Sequence, residues 1–175
     1  MLSALVLYRA DPSARAPAEP AVRTLAALVP AAMEGVLRDV ALAGPAAAGF
    51  ESVADHAGCL WVEAEDEKTQ IARGGAALRE RNVFVIVAGA IPEPGFTQEL
   101  DDMLREGASS VALRFAPASF MQRLAPSLAP VAAQIVPRDL LLSGRAARFA
   151  DLQRMVRPAR AMVARARAFK QTAFK

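Results

Sequence analysis

Val83-Phe-Val-Ile-Val87 is the stretch that decides the fold class. Five β-formers stand in a row with no polar residue among them, the pattern of a central strand covered on both faces. Before it, Lys68 to Arg79 is a run of strong helix formers interrupted by Gly74-Gly75. After it, Pro92 to Gly95 makes a turn, and Phe96, Leu100, Met103 and Leu104 then recur at the spacing of one helix face. Ser110 to Phe115 reads as a further strand. Towards the N-terminus, Leu2 to Tyr8 is a buried strand running into the turn-prone Asp11-Pro12-Ser13. Val22, Leu25, Leu28 and Val29 predict a helix that Pro30 should end or kink. Asp39 to Ala43 is a second strand, stopped by Gly44-Pro45. Phe50 to His56 is a helix capped by Gly58, and Cys59 to Val62 is a third strand. Past Phe115 the chain reads as helical or irregular, broken by Pro117, Pro126, Pro130, Pro137 and Pro158. Strands separated by helices imply right-handed βαβ units, hence a three-layer α/β fold with a mostly parallel sheet and helices on both faces.

Composition agrees with one folded domain. The chain has 175 residues, 54% apolar and 22% charged, enough for a sizeable core. The single cysteine, Cys59, has no partner for an internal disulfide. The N-terminal apolar run is too short for a signal sequence, and no stretch reaches the roughly 18 apolar residues of a spanning helix. The expected location is the cytoplasm. Net charge is +3, but Arg154, Arg157, Arg160, Arg165, Arg167, Lys170 and Lys175 follow Asp151 with no acid among them. Without those seven cations the remainder stands at −4. The expected organisation is an α/β domain over residues 1–152 and a basic C-terminal helix or tail over 153–175.

Ligands of open parallel sheets bind beyond the carboxyl ends of the strands. The exits to inspect are Tyr8 to Asp11, Ala43 to Ala47, Ala64 to Lys68 and Ala88 to Pro92. The first exit has no glycine, which argues against the dinucleotide fingerprint. There is no P-loop and no nucleophile elbow, and the lone His56 has no second ligand at zinc spacing.

Several segments, in order, point to one family. They are Arg23 to Val40, Ala54-Asp-His-Ala-Gly-Cys59, Thr69-Gln-Ile-Ala-Arg-Gly74, and Val83 to Val87 followed by Pro94-Gly-Phe96. Together, over residues 2 to 105, they resemble the nucleotide-binding part of a family 2 glycosyltransferase of the GT-A fold, here shorter than full members. The third segment is similar to the family's Ala-Gln-Leu-Ala-Ala-Gly, matching at Gln70 and Gly74. The resemblance implies a donor cleft lined by Tyr8, Asp11, Gly44, Gln70, Gly74, Ala88, Gly89 and Ala90.

The departures concern the acids. Where the family closes its second strand with an aspartate that contacts the base, this chain has Gly44. Where it carries an Asp-x-Asp type motif holding a divalent cation, this chain has Ala88-Gly89-Ala90. Hard cations need oxygen ligands, and alanine and glycine side chains supply none. The expectation is no cofactor, with Mg²⁺ or Mn²⁺ entering only if other residues substitute. Asp151 is the one nominee for the acceptor's general base.

Most of the remaining candidates have two readings. Glu63, Glu65, Asp66 and Glu67 form either a relocated cation site or a solvated loop. Asp11 is a nucleotide contact or a turn former before Pro12. Gly74-Gly75 permits approach to a phosphate or close helix–sheet packing. His56 reads as a helix-end residue, and Cys59 as a small buried hydrophobe. Trp61 is core packing or a stacking platform. In the tail, Met162, Val163, Ala166 and Phe169 would share one face of a basic amphipathic helix. Its cations Arg157, Arg160, Arg165, Arg167 and Lys170 would meet an anionic membrane surface at the inner face, or an acidic protein. The alternative is packing on the domain. Nucleic acid is disfavoured, because no aromatic platform interleaves with the cations. Two functions follow: sugar transfer from a nucleotide-sugar donor, weakened or lost with its acids, or a non-catalytic binding or scaffolding module that retains the GT-A fold.

Overall fold

A computed structural model describes residues 1–9, 18–46, 49–108, 110–156 and 162–170. Its strands are β1 (Leu2–Leu7), β2 (Leu37–Gly44), β3 (Leu60–Glu63), β4 (Asn82–Val87), β5 (Ala90–Pro92), β6 (Val111–Phe115), β7 (Val131–Pro137) and β8 (Met162–Lys170). They form one sheet in the order β3-β2-β1-β4-β7-β6-β8-β5. β1 to β4 are mutually parallel, β7 runs antiparallel between β4 and β6, β8 is parallel to β6, and β5 closes the edge antiparallel to β8. Most strands therefore point one way, as the repeated βαβ pattern requires.

Side chains alternate across the sheet and split the core in two. On the first face, Leu2, Ala4 and Val6 of β1 and Phe84 and Ile86 of β4 pack with α1 (Glu19–Met33), α2 (Phe50–Ala57) and α4 (Phe96–Arg105). On the second, Leu5, Leu7, Val83 and Val85 pack with α3 (Glu67–Ala77), α6 (Arg138–Leu142) and α7 (Phe149–Met155). The short α5 (Phe120–Leu124) buries no side chain. This is the three-layer α/β arrangement expected from the strand–helix alternation.

Gly74 and Gly75 set how closely α3 approaches its neighbours. A Cβ on Gly74 would collide with the Leu5 side chain, and one on Gly75 would stand 2.7 Å from Leu141 Cβ in α6. Of the two readings of this pair, the contacts match close packing. Gly74 lies against β1 inside the second core.

Three features differ from the sequence expectations. In α1 the buried residues are Ala21, Thr24, Leu25, Leu28 and Ala31, while Val22 and Val29 are about half exposed. Alanine and threonine complete the buried stripe where valine was expected. Of the two effects expected of Pro30, it does not end the helix, which continues to Met33. Proline forfeits its own donor, but its carbonyl still accepts the Glu34 N–H at 2.9 Å. Second, Val131–Pro137 is a central strand, although it read as irregular. Its alanines and its buried Gln134 weaken the β signal, and Pro130 and Pro137 bound the strand rather than break it.

The third correction concerns the C-terminus. Residues 162–170 are not an amphipathic helix but β8, set between β6 and β5. Ala164, Ala166 and Ala168 belong to the first core, and Phe169 is half exposed. Arg157, Arg160 and Lys175 lie outside the described residues. β8 carries an irregularity: Val163 pairs with Ala112, yet Arg167 pairs with Arg114, so two extra residues are accommodated. Carboxylates take up the N–H groups displaced there. Glu99 accepts from Arg165 N (2.6 Å) and Ala166 N (2.8 Å), and Glu93 accepts from Arg167 N (2.9 Å). Among the described residues, no helix is long and apolar enough to cross a membrane.

Replacing Glu99 by Ala removes two charge-assisted bonds, which net about 1.5–3 kcal/mol each when well shielded and less at this part-exposed position. We expect a loss of about 1–3 kcal/mol in urea denaturation. Faster amide exchange should be confined first to Arg165 and Ala166.

Candidate functional site

The carboxyl ends of the parallel strands form one continuous edge. Tyr8 N donates to Ala43 O (2.9 Å), Ala64 N to Gly44 O (2.7 Å) and Ala88 N to Leu7 O (2.9 Å), so the four exits are tied side by side beyond the last regular pairs. Tyr8, Gly44, Ala88, Gly89 and Ala90 therefore share this edge. Asp11 lies outside the described residues.

The turn after β4 is fastened inward. Gly89 adopts φ +89°, which favours glycine, and its N–H donates to Thr24 Oγ1 (2.9 Å) and to Pro20 O (3.2 Å). Thr24, fully buried in α1, in turn donates to Ala90 O at 3.0 Å. Sequence reading overlooked Thr24, which only its place on the buried helix face reveals. Ala90 is itself fully buried. The residues at this turn do not fit a divalent cation: Ala88, Gly89 and Ala90 carry no carboxylate, and the Thr24 hydroxyl beside them is committed to the main chain. Among the described residues, no group of three His, Cys, Asp or Glu side chains comes together to hold a metal.

At the exit of β2, Gly44 lies between aromatic residues. A Cβ there would stand 3.1 Å from Tyr8 Cβ and 3.6 Å from Trp61 Cη2. Phe50 packs between them, with ring centroids 4.5 Å from Tyr8 and 5.8 Å from Trp61, the latter nearly parallel. Trp61 thus packs on the core, and an aspartate at position 44 would need this cluster to yield.

Of the acids after β3, Asp66 and Glu67 are occupied structurally. Asp66 is the N-cap of α3 and accepts from Thr69 N (2.9 Å) and Thr69 Oγ1 (2.7 Å). Those bonds, the hydroxyl first, hold its carboxyl below the usual range. A depressed carboxyl stabilises the fold above its ordinary value, and that contribution fades as pH falls through the folded value. Glu67 accepts from Arg9 (2.8 Å) and from Phe149 N (2.7 Å), joining the exit of β1 to the start of α7. The Arg9 guanidinium lies 5.9 Å from the Phe149 ring centroid. Glu65 reaches the Ala46 N–H at 3.4 Å. Asp151, the nominated base, turns back to accept from Ala147 N (3.1 Å) and Arg148 N (2.9 Å) as part of the cap of α7.

Gln70 is different. It is 3% exposed, and its Nε2 donates to Ala64 O (3.2 Å) at the exit of β3, while its Oε1 has no partner. Two arginines also reach the same edge from the far half of the sheet: Arg114 near the end of β6, and Arg167 directly opposite it in β8. Arg114 was missed in the sequence, where it stands as a single charge in an apolar strand.

His56 and Cys59 lie elsewhere. They line a 490 Å³ apolar cavity between α1 and α2, beside the amino end of β2, on the edge of the sheet opposite the strand exits. His56 Nδ1 is 2.6 Å from Ser52 O, and burial pushes the Cys59 thiol up. Cys59 should therefore react with iodoacetamide at pH 7 more slowly than a free cysteine, measurable by mass spectrometry.

No protein-family profile matches the chain, and no curated protein sequence does. Solved structures do match in fold. Glucosyl-3-phosphoglycerate synthase from Mycobacterium tuberculosis, in complex with Mn²⁺, UDP and glucosyl-3-phosphoglycerate, aligns with a TM-score of 0.61 at 15% identity, over 99% of this chain and 73% of that one. HddC from Yersinia pseudotuberculosis aligns at 0.60 and 10% identity, over 97% and 93%. A nucleotidyl transferase from Methanothermobacter thermautotroptrophicus aligns at 0.60 and 15% identity, over 94% and 88%. At these identities the likeness shows the fold: this chain has the GT-A type of α/β architecture.

Thr24→Val keeps the shape of the side chain and leaves Gly89 N–H short of one acceptor and Ala90 O short of a donor. We expect a loss of about 1–3 kcal/mol in chemical denaturation. A Thr24→Ser substitution, which keeps the hydroxyl, should cost less.

Proposed function

We propose that the chain binds a nucleotide-diphosphate ligand at the strand-exit edge, and that metal-dependent sugar transfer from it is weakened or lost. The observation that carries this reading is Gln70. A buried amide with one half anchored on Ala64 O and the other half unpartnered stands at an exit edge of a GT-A type sheet. Buried acceptors without partners are uncommon and call for one. A nucleotide base offers N–H donors of the right kind. The edge is also where open α/β sheets take ligands, and the structural neighbour from Mycobacterium tuberculosis was solved with UDP.

A second reading, a non-catalytic binding or scaffolding module, is favoured by a separate observation. The turn Ala88-Gly89-Ala90 carries no carboxylate, and Asp66, Glu67 and Asp151 each hold the fold together. Neither a cation-binding acid nor a free base is left among them. The membrane reading of the tail loses its amphipathic helix over residues 162–170, which are a strand.

Calorimetric titration with UDP and GDP, with and without Mn²⁺, separates these readings. Binding tighter than about 100 μM, roughly −5.5 kcal/mol, supports a working nucleotide site. A strong dependence on Mn²⁺ would mean that acids other than Asp66, Glu67 and Asp151 restore the cation. Absence of heat and of thermal stabilisation with either nucleotide would overturn the nucleotide reading and leave the module. Under the proposal, Gln70→Leu should weaken nucleotide binding while leaving the fold intact.

A further inference from the structure

Two buried side-chain atoms of the described residues have no hydrogen-bond partner, Gln70 Oε1 and Arg167 Nη1. The second belongs to a part-buried side chain that carries a permanent positive charge. The ion pairs of the described residues involve Arg9, Arg23, Arg38, Arg105 and Arg154, and neither Arg167 nor Arg114 is among them. The nearest acid identified by a contact, Glu93, uses its Oε2 on the Arg167 main-chain N–H.

Arg114 stands opposite Arg167 in register on the neighbouring strand. Adjacent strands are about 4.8 Å apart, and paired residues leave the sheet on the same face. Like charges so placed repel, which destabilises the sheet unless an anion lies between or above them. Arg114 donates one bond, from Nη1 to Ala129 O at 2.6 Å, and this fixes its position without neutralising it. Both residues sit at the edge where β4 ends: Lys170, three residues past Arg167, pairs with Ala90 in the turn that has no carboxylate. The wider field has the same sign. Residues 107–175 contain twelve Lys and Arg against two acids, Asp139 and Asp151.

We propose that Arg114 and Arg167 form an anion subsite that takes a phosphoryl group, with Arg167 Nη1 donating to one of its oxygens. Two planar guanidinium groups suit a tetrahedral oxyanion, and their bonds to it are charge-assisted. The pair supplies the positive charge at the sheet edge that the turn after β4 is not built to hold as a cation. The identity of the phosphoryl group as part of a nucleotide diphosphate rests on the function proposed above; the subsite itself does not.

The test is titration of the full chain, in EDTA, with pyrophosphate, UDP and uridine, repeated for Arg167→Met and Arg114→Gln. Wild-type protein should bind pyrophosphate and UDP without metal, more weakly as KCl rises. Each variant should lose about tenfold or more for both, as expected for removing a charge-assisted bond, with uridine binding unchanged. The ligand-free thermal midpoint of Arg167→Met should stay level or rise, since a cation facing Arg114 across the strand pair is removed; a purely structural arginine would lower it. Should Arg167→Met fail to fold, that outcome counts against the subsite, and Arg114→Gln still reads the anion affinity. Equal pyrophosphate binding by all three proteins, or none by wild type, overturns the subsite. Arginine-dependent pyrophosphate binding without UDP binding keeps the subsite and rejects the nucleotide reading. UDP binding unaffected by either variant does the reverse.

Discussion

β1 lies between β2 and β4 with every one of its residues buried, and the rest of the molecule is arranged around covering its two faces. A strand in that position needs apolar side chains on both sides and helices close enough to seal each one. On the first face Phe84, Phe96 and Leu100 fill the space. On the second the seal depends on α3 coming close, and Gly74 allows it by presenting no side chain to Leu5. Gly75 does the same towards Leu141 in α6. A helix glycine costs about 1 kcal/mol relative to alanine, and close packing of a central strand offsets that cost.

The same demand shapes the ligand edge. Thr24 on α1 and the turn at Gly89 are joined by hydrogen bonds, so the turn is held down on the first layer. Arg9, Glu67 and the start of α7 are likewise joined on the second layer. Polar groups that could have faced a ligand are instead used to close the ends of the layers. Among the described residues, the amide oxygen of Gln70 and Nη1 of Arg167 have no partner, and Arg114, held by Ala129 O, stands opposite Arg167. That inventory suits an anionic ligand recognised by direct donors more than one bridged through a hard cation.

Charge follows the topology. The parallel half of the sheet, from β1 to β4, carries most of the acids, and of these Asp66 caps a helix while Glu67 and Glu80 pair with arginines. The other half brings β6, β7 and β8 together with an excess of cations. Glu93 and Glu99 are the exceptions that hold β8 in place through its main-chain N–H groups rather than its arginines. These carboxylates satisfy the backbone, and among the described residues the guanidinium of Arg167 has no ion pair.

The sequence by itself determined the α/β class, the places of β1 to β4 and β6, and the helices between them. Each of those segments carries a local pattern strong enough to read alone, such as Val83 to Val87 or the Gly58 cap of α2. It also located the exit residues Gly44, Gln70 and Ala88 to Ala90. Only the tertiary structure decided the C-terminal third. Val131–Pro137 and Met162–Lys170 have weak or ambiguous periodicity, and Ala-Arg-Ala-Arg-Ala-Phe fits one side of a helix as readily as alternation along a strand. Pairing with β4, β5 and β6 resolves that ambiguity, because burying backbone N–H and C=O groups in a sheet requires partners that are distant in sequence. The meeting of Arg114 with Arg167 has the same origin: 53 residues separate them, and strand register alone brings them together.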